Sequence, residues 1–309
     1  MSTVKDIGKV VVLMGGTSAE RPVSLKSGQM VLNALHASGI EAIAFDPAEQ
    51  AWDRLIAAQV DCAFIALHGR FGEDGTVQGA LEVLGVPYTG SGVLGSALAM
   101  DKLRSKQVWL AQGLPTPAFV VLQPDTDLHA VAAQLGFPIM VKPASEGSSI
   151  GMSKVHDVTA LSAAFTLAAK YDQVVIAERC IVGTELTAGI LGNTALPLIR
   201  LETQRAFYDY EAKYVADDTK YVIPCGLSAP AEEKIQALCL RAFAALGCHG
   251  WGRVDLMLDA AGDPWLLEVN TAPGMTDHSL VPMAARAFGL SYAQLCLRIL
   301  ELAKARHVG

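Results

Sequence analysis

The chain has 309 residues, 51% of them hydrophobic and 18% charged, and that much apolar sequence predicts two or three domains with their own cores. Its net charge of −7, without any basic block, argues against nucleic acid or an anionic membrane as the main partner. The six cysteines are far apart and mostly lie in apolar surroundings, which indicates reduced core residues. We found no signal peptide or membrane-length apolar run, so we predict a soluble, cytoplasmic protein.

The first hundred residues alternate between strand and helix patterns. Buried strands are predicted at "KVVVLMGG", "EAIAFD" and "VDCAFIALHG", and a helix that stops at Gly39 follows the first of them. This rhythm is typical of a parallel sheet with helices on its faces, and we expect the unit to end near Met100. The segment "GSGVLG" fits a dinucleotide-binding motif, but it does not follow the first strand and lacks the downstream acid, so we expect a glycine-rich turn.

A second unit begins with the helix "DKLRSKQVWLAQG" and continues through the strands "AFVVL", "FPIMVKP" and "QVVIAERC". A third unit, from about Thr184, has two adjacent strand candidates that we expect to be antiparallel, "TELTAGILG" and "TALPLIRLE". The polar stretch after them, "TQRAFYDYEAKYVADDTKY", contains four tyrosines and is too long for a simple turn. Loops of this kind often cover active sites.

The best candidate for a phosphate site is "VKPASEGSSIG". A strand delivers Lys142 to a loop rich in glycine and serine, whose backbone N–H groups can surround phosphate oxygens. For an isolated match, a hairpin turn with a solvent-exposed lysine is the commoner explanation. The phosphate interpretation gains support from Lys102 at the start of the preceding helix, and from Glu178 and Glu185, which could accept hydrogen bonds from adenine or ribose.

A metal site is predicted where "WGRVDLML" and "PWLLEVN" form a hairpin. Alternate residues of a strand share a face, so Arg253 points with Asp255, and Glu268 points with Asn270. If the loop is Ala260–Asp263, Asp255 lies opposite Glu268 and Arg253 lies opposite Asn270. Two such close carboxylates repel unless a cation joins them, and all-oxygen ligands suit Mg²⁺ or Mn²⁺. A surface ladder with an ordinary salt bridge is the alternative.

Three further side chains are expected near this site. Glu20 lies at the junction of the first strand and the first helix, and His68 lies at the end of the third strand, so both belong to the sheet edge where ligands bind. Ser279 follows the metal strand in "GMTDHSL", where it and nearby N–H groups could hold a carboxylate at a helix start. Taken singly, each residue is more often structural.

The motifs together resemble the D-alanine–D-alanine ligases of the ATP-grasp superfamily. The matching segments run in order from about residue 15 to residue 286, and they are "GGTSAE", "HGRFGEDG", "VKPASEGSSIGMSKV", "FYDYEAKY", "GRVDLML" and "EVNTAPGMTDHSLVP". The resemblance implies an α/β (α+β) three-domain ATP-grasp architecture with a Rossmann-like parallel-sheet domain at residues 1–100. The central lobe would be residues 101–183, and the C-terminal lobe 184–309 would include the metal site and a lid loop at 202–224.

The resemblance also implies roles for individual residues. Six would bind ATP: Lys102, Lys142, Glu178, Ile181, Glu185 and Lys213. Three would carry two Mg²⁺ or Mn²⁺ ions: Asp255, Glu268 and Asn270. Five would contact the two D-alanines: Glu20, His68, Arg253, Ser279 and Leu280. Ser148 and Tyr214 would hydrogen-bond with Glu20 and pin the loop closed, and Arg253 would form an oxyanion hole with the N–H of Gly274.

The implied reaction joins two D-alanines through an acyl phosphate, with release of ADP and phosphate, in the synthesis of the peptidoglycan precursor. D-Alanine and ATP would be the only partners besides a second copy in a homodimer. Three alternatives remain: a ligase that uses D-lactate or D-serine, another ATP-grasp ligase that joins a carboxylate to an amine, and an inactive nucleotide-binding regulator.

Overall fold

The computed structural model describes residues 7–202 and 219–307. Within them, thirteen strands and ten helices are formed. The strands are β1 (Val10–Leu13), β2 (Ala42–Phe45), β3 (Cys62–Ile65), β4 (Phe119–Leu122), β5 (Ile139–Pro143), β6 (Ser153–Val155), β7 (Val175–Arg179), β8 (Gly183–Leu191), β9 (Thr194–Ala195), β10 (Ile199–Glu202), β11 (Lys220–Val222), β12 (Trp251–Asp259) and β13 (Pro264–Asn270). The helices are α1 (Arg21–Ala37), α2 (Trp52–Ala57), α3 (Thr76–Val83), α4 (Val93–Met100), α5 (Lys102–Ala111), α6 (Leu128–Leu135), α7 (Val158–Ala168), α8 (Ala229–Ala245), α9 (Leu280–Ala287) and α10 (Tyr292–His307).

The first sheet confirms the parallel arrangement predicted for the N-terminal unit. Its strand order is β2-β1-β3, and both pairings are parallel. Helix α1 begins directly after Glu20 and has a proline in its first turn. It ends at Ala37, two residues before Gly39. The φ of Gly39, 77°, is a left-handed value that favours glycine. Both Glu20 and His68 therefore follow a strand of this sheet at its carboxyl edge.

The second sheet is antiparallel, in the order β4-β7-β5-β6. Strand β6 was not predicted, because its three residues are too few to show an alternating pattern. It pairs with β5, so the glycine- and serine-rich segment between them is the connection of a hairpin. That segment contains Ser148 and Ser149, both with positive φ values, 51° and 61°.

The third sheet has the order β11-β10-β8-β12-β13, with β9 paired to β8. The antiparallel pairing expected from Thr184 onwards is confirmed for β8 and β10. Strand β11 lies inside the predicted lid loop 202–224, because Lys220–Val222 pair with β10. Most of that loop lies outside the described residues.

The hairpin of β12 and β13 has the predicted register at the site but reaches it differently. Asp255 lies opposite Glu268, and Arg253 lies opposite Asn270, as expected. Next to the turn, however, Pro264 pairs with Leu258, whereas the predicted loop would have paired it with Asp259. A β-bulge between Asp255 and Leu256 corrects this shift of one residue, so that the predicted pairs form at the site. The bulge has a clear use, since it turns both Leu266 and Val269 into the core while Glu268 and Asn270 stay on the cavity side.

The largest hydrophobic cluster joins the two ends of the chain. It combines buried residues of β1 and α1 with residues of α9 and α10, including Val12, Leu35, Val281 and Ile299. The six cysteines are free, and five of them are buried. No single helix in the described ranges has the length and apolar composition needed to cross a membrane; α9 and α10 meet that test only as a pair, bent by 104°.

The segment "GSGVLG", predicted as a glycine-rich turn, is a turn only as far as Gly92, and its last three residues form the start of α4. A side chain at Gly95 would place its Cβ 2.7 Å from the backbone oxygen of Gly247. Close packing between the first and third parts of the chain therefore explains this glycine without a nucleotide.

Candidate active site

A cavity of about 520 Å³ lies between the second and third sheets. It brings together residues from seven strands and from the starts of α5 and α9. Every predicted ATP residue within the described ranges lines it, together with both predicted metal carboxylates: Lys102, Lys142, Glu178, Ile181, Glu185, Asp255 and Glu268. The apolar part of its wall includes Met140, Met257 and Leu267. The cavity could therefore bind a ligand that has both a flat apolar ring and a charged group.

The carboxylate of Glu178 is used in a way that the sequence did not reveal. Its two oxygens lie 2.9 Å from Nζ of Lys142 and 2.5 Å from Nζ of Lys106. Burial by itself would raise the pKa of Glu178, but the two lysine charges outweigh it and hold that pKa below its ordinary value. Lys106 was not predicted, because a lysine in the middle of a helical pattern usually faces solvent.

Lys102 connects the serine-rich hairpin to the third sheet. Its Nζ donates a 2.6 Å hydrogen bond to the backbone oxygen of Glu146 and lies 3.2 Å from Oε2 of Glu268. The lysine is buried, so this ion pair is only weakly screened.

Asp255 is the centre of a polar cluster on the third sheet. It is 8% exposed and lies opposite Thr187 of β8 as well as Glu268 of β13. Oδ1 accepts from the hydroxyl of Thr187 at 2.6 Å and from Nε of Arg253 at 2.8 Å. Oδ2 accepts from a terminal nitrogen of Arg253 at 2.8 Å and from the amide of Asn270 at 3.0 Å.

The donor set of this cluster fits a hard divalent cation. The predicted ligands offer two carboxylates and one amide oxygen, which suit Mg²⁺ or Mn²⁺. No group of three or more His, Cys, Asp or Glu residues with metal-site geometry occurs in residues 7–202 and 219–307, and here the third ligand would be the amide of Asn270. Because five hydrogen-bond contacts from three side chains already occupy the two oxygens of Asp255, a metal ion would have to displace one of its donors.

A second, smaller cavity of about 60 Å³ adjoins the first. Its lining includes every described residue predicted to contact substrate or to form the oxyanion hole: Glu20, His68, Arg253, Gly274, Ser279 and Leu280. Ser148, which was predicted to hydrogen-bond with Glu20, lines it as well. Leu280 lines both cavities. The polar cluster around Asp255 and Arg253 therefore lies where the two cavities meet.

Glu20 is held at the floor of the smaller cavity. The hydroxyl of Ser148 donates a hydrogen bond to its Oε1, so the second sheet is tied to the first one as the resemblance implied. The glycines around the carboxylate are required by space, since a Cβ at Gly69 would lie 2.8 Å from Oε2 of Glu20. At 7% exposure, this carboxylate is positioned to receive a cationic group from the cavity.

His68 has a structural connection in addition to its place in the cavity wall. Its Nδ1 lies 2.9 Å from the backbone oxygen of Ala272, and its Nε2 lies 3.3 Å from the hydroxyl of Ser27. Burial lowers the pKa of the His68 imidazole, which favours the neutral ring.

Glu73 is a second carboxylate at the smaller cavity, and it was not predicted from the sequence. Its Oε2 accepts a 2.7 Å hydrogen bond from the N–H of Gly69, and its Oε1 accepts a longer one, 3.4 Å, from the N–H of Ala272. Burial, with a contribution from the charge of Glu20, raises the pKa of Glu73 to about 8. In the sequence, the one sign of this carboxylate was the pair of acidic residues in "HGRFGEDG".

Ser279 stands at the beginning of α9, as predicted. Its Oγ accepts a 2.9 Å hydrogen bond from the N–H of Thr276. A Cβ at Gly274 would lie 2.8 Å from the same Oγ, so the backbone of Gly274 passes close to the serine. Lys213 and Tyr214, also predicted for this site, lie outside the described residues.

Comparison with known proteins identifies the family. The family model described as D-ala D-ala ligase C-terminus matches residues 108–301, and the one described as D-ala D-ala ligase N-terminus matches residues 46–91. The chain belongs to the D-alanine–D-alanine ligase family. A D-alanine--D-alanine ligase of Nitrosospira multiformis is 56% identical to it over 309 residues, which cover 100% of each chain.

Solved structures of the family share this fold. The D-alanine--D-alanine ligase from Bacillus anthracis has a TM-score of 0.88 at 36% identity, covering 97% of this chain and 99% of that one. The same enzyme complexed with ATP has a TM-score of 0.86 at 34% identity, with the same coverage. The VanG D-Ala:D-Ser ligase from Enterococcus faecalis has a TM-score of 0.84 at 30% identity, covering 96% and 99%. The predicted ATP-grasp architecture is thereby confirmed.

Proposed function

We propose that this chain joins two D-alanines to D-alanyl-D-alanine, with conversion of ATP to ADP and phosphate, for the peptidoglycan precursor. ATP-dependent ligation for that precursor is the role of the family to which the chain belongs. The observation that carries the proposal is the meeting of a large cavity and a small one at Arg253, Asp255 and Asn270. A nucleotide and an amino acid can then face one another across a charged cluster.

ATP would occupy the larger cavity. Lys102 and Lys142 would hold its phosphates. Ile181 would contact the adenine, and Glu185 would accept a hydrogen bond from the ribose. The carboxylate of Glu178 would act through its ion pair with Lys142. Two Mg²⁺ or Mn²⁺ ions, held by Asp255, Glu268 and Asn270, would supply neutralisation of the phosphate charge. Lys213 would also bind ATP.

The first D-alanine would bind in the smaller cavity, with its ammonium on Glu20 and its carboxylate towards the nucleotide. His68 would form the neighbouring wall. In the first step, an oxygen of that carboxylate attacks the γ-phosphorus of ATP, the bond to the β,γ-bridging oxygen breaks, and an acyl phosphate and ADP result. Arg253 lowers the repulsion between the two anionic reactants.

The second D-alanine would place its carboxylate on Ser279 and the N–H of Leu280, at the start of α9. Its neutral amine attacks the acyl carbon, phosphate leaves with the bonding electron pair, and the amine proton is lost. The tetrahedral oxyanion would be held by Arg253 and the N–H of Gly274; removal of one such donor typically lowers the rate by about 10²–10³. The lid of residues 202–224, with Tyr214 and Ser148 bound to Glu20, would keep water from the acyl phosphate.

We also propose the surroundings of the reaction. The domains would be residues 1–100, 101–183 and 184–309, a division supported by the three sheets, which fall close to these bounds. The protein would be a cytoplasmic homodimer without a nucleic acid or membrane partner, as the net charge of −7 favours.

The experiment that tests this function measures phosphate release from ATP and Mg²⁺ with added D-alanine, L-alanine, or D-alanine plus D-lactate or D-serine. Mass spectrometry identifies the products. We expect release with D-alanine alone and formation of its dipeptide. If no amino acid stimulates phosphate release, the substrate assignment is contradicted. A separate measurement of ATP binding would still test the nucleotide site.

The choice between D-alanine and D-lactate as the second substrate can be tested at Tyr214. The family resemblance implies phenylalanine at this position in ligases that use lactate, so we predict that Tyr214→Phe raises the ratio of ester to dipeptide formed from equal D-lactate and D-alanine. An unchanged ratio would remove Tyr214 from the specificity role.

A further inference from the structure

Lys106 of α5 lies behind the larger cavity, and the reaction described above assigns it no step. Its side chain has no exposed surface. Nζ lies 2.5 Å from Oε2 of Glu178, donates a 2.7 Å hydrogen bond to the hydroxyl of Thr116 and lies 5.9 Å from the ring centre of Phe119. Lysine is almost never fully buried unless it is paired, because the burial of a charge is costly. A buried lysine here therefore calls for a reason beyond packing.

Glu178 links this lysine to the cavity wall. Its Oε1 lies 2.9 Å from Nζ of Lys142, which lines the cavity. The three charged side chains thus form a line, Lys106–Glu178–Lys142, with exposures of 0%, 2% and 6%. Because so little water reaches them, their charges are only weakly screened by salt and solvent.

The net charge of these three side chains depends on Lys106. Glu178 and Lys142 alone would form a neutral pair, and Lys142 would attract a polyphosphate weakly; with Lys106 the line carries one net positive charge. We propose that Lys106 is a positioning residue that neutralises Glu178 and so leaves the charge of Lys142 available to the phosphates of the nucleotide. This inference rests on the proposed binding of ATP in the larger cavity.

A purely structural role is the competing explanation. The hydroxyl of Thr116, which accepts from Lys106, donates in turn to the backbone oxygen of Leu266 on β13 at 2.9 Å, so the lysine also connects α5 with the third sheet. Burial lowers the pKa of Lys106 to about 8, against the opposing effect of Glu178. The ammonium is therefore still the main form at pH 7, as the charge count requires.

Two variants separate these explanations. Lys106→Met keeps the length of the side chain but removes the charge, whereas the double variant Lys106→Met with Glu178→Gln removes both charges and again leaves Lys142 with a net positive charge. Calorimetric titration with ATP and Mg²⁺, without D-alanine, gives the dissociation constants. Arg104→Met is the matched control, because it removes a positive charge from an exposed position of the same helix.

We expect Lys106→Met to weaken ATP binding on the order of tenfold, the scale expected for one weakly screened charge. In turnover, the KM for ATP rises while the KM for D-alanine stays unchanged. The double variant binds ATP more tightly than Lys106→Met does, since the net charge at the phosphate site is restored. Arg104→Met binds ATP like the wild type.

Other outcomes overturn the inference. Wild-type affinity in Lys106→Met, or a double variant as weak as Lys142→Met, assigns Lys106 a structural role. If Lys106→Met does not fold, the double variant alone decides: tighter ATP binding than in Lys142→Met supports the inference, and binding as weak as in Lys142→Met overturns it. If the wild-type chain itself binds no ATP, the proposed function fails, and this result is distinct from the failure of the Lys106 inference alone.

Discussion

Removal of one hydroxyl beside Asp255 should weaken both the fold and the metal site. Thr187→Val replaces Oγ1, which donates at 2.6 Å to Oδ1 of Asp255, by a methyl group of similar size. Thr187 and Asp255 are 1% and 8% exposed, so water cannot replace the lost donor. A hydrogen bond to a charged group contributes about 1.5–3 kcal/mol to the free energy of unfolding. With an unfolding entropy of about 2.1 cal/mol/K per residue, the melting temperature of a chain of this length should fall by about 2–5 °C.

The same change should alter the need for metal. Thr187 orients the carboxylate of Asp255, and loss of such an outer partner typically lowers metal affinity about 10–100-fold. We therefore expect the Mg²⁺ concentration for half-maximal phosphate release to rise at least tenfold, and titration calorimetry without D-alanine should show the same shift.

Thr166→Val is the control for this prediction. It removes an exposed helix hydroxyl bonded to the backbone oxygen of Ser162, and its effect on unfolding should stay within about 0.5 kcal/mol. Equal melting temperatures for Thr187→Val and the wild type would refute the energetic reasoning. An unchanged Mg²⁺ requirement in a destabilised Thr187→Val would show that Asp255 does not depend on this hydroxyl for metal binding.

Two further predictions concern stability. The folded pKa of Glu73, about 8, exceeds its ordinary value of 4.5, so the folded state holds this proton more tightly and loses stability as the pH rises between these values; Glu73→Gln should flatten the melting temperature over pH 5.5–8.5, and parallel curves for the two proteins would contradict this. Gly95→Ala should destabilise by about 1–2 kcal/mol, because a Cβ 2.7 Å from the backbone of Gly247 costs more than the gain in helix propensity. Its control, Gly79→Ala on α3, meets only Val93 at 3.8 Å and should stabilise by about 0.5–1 kcal/mol in chemical denaturation.

The hairpin of β12 and β13 shows how far sequence reasoning reached. Alternation predicted that Glu268 and Asn270 share a face, and the choice of partners opposite Arg253 and Asp255 was right. The bulge beside Leu256 could not be predicted, because the letters between Glu268 and the turn are compatible with a regular ladder as well. Only the packing of Leu266 and Val269 into one core makes the irregular pairing favourable.

The two missed acid–base residues have a related explanation. Lys106 and Glu73 have ordinary surroundings in the sequence, one in a helical pattern and the other in a polar loop. Their character comes from burial and from partners far along the chain, since Lys106 meets Glu178 and Glu73 meets Ala272. Local spacing contains no signal for such contacts.

The sequence alone determined the local structure and the chemical types available to the site. The strand–helix rhythm of the first hundred residues, the glycine stop of α1 and the face shared by Glu268 and Asn270 follow from short-range patterns. The tertiary structure decided which polar groups meet. Ser148 reaches Glu20 across 128 positions, and His68 reaches the backbone of Ala272 across 204, because three sheets converge and their packing, rather than local spacing, sets the distances within the cavities.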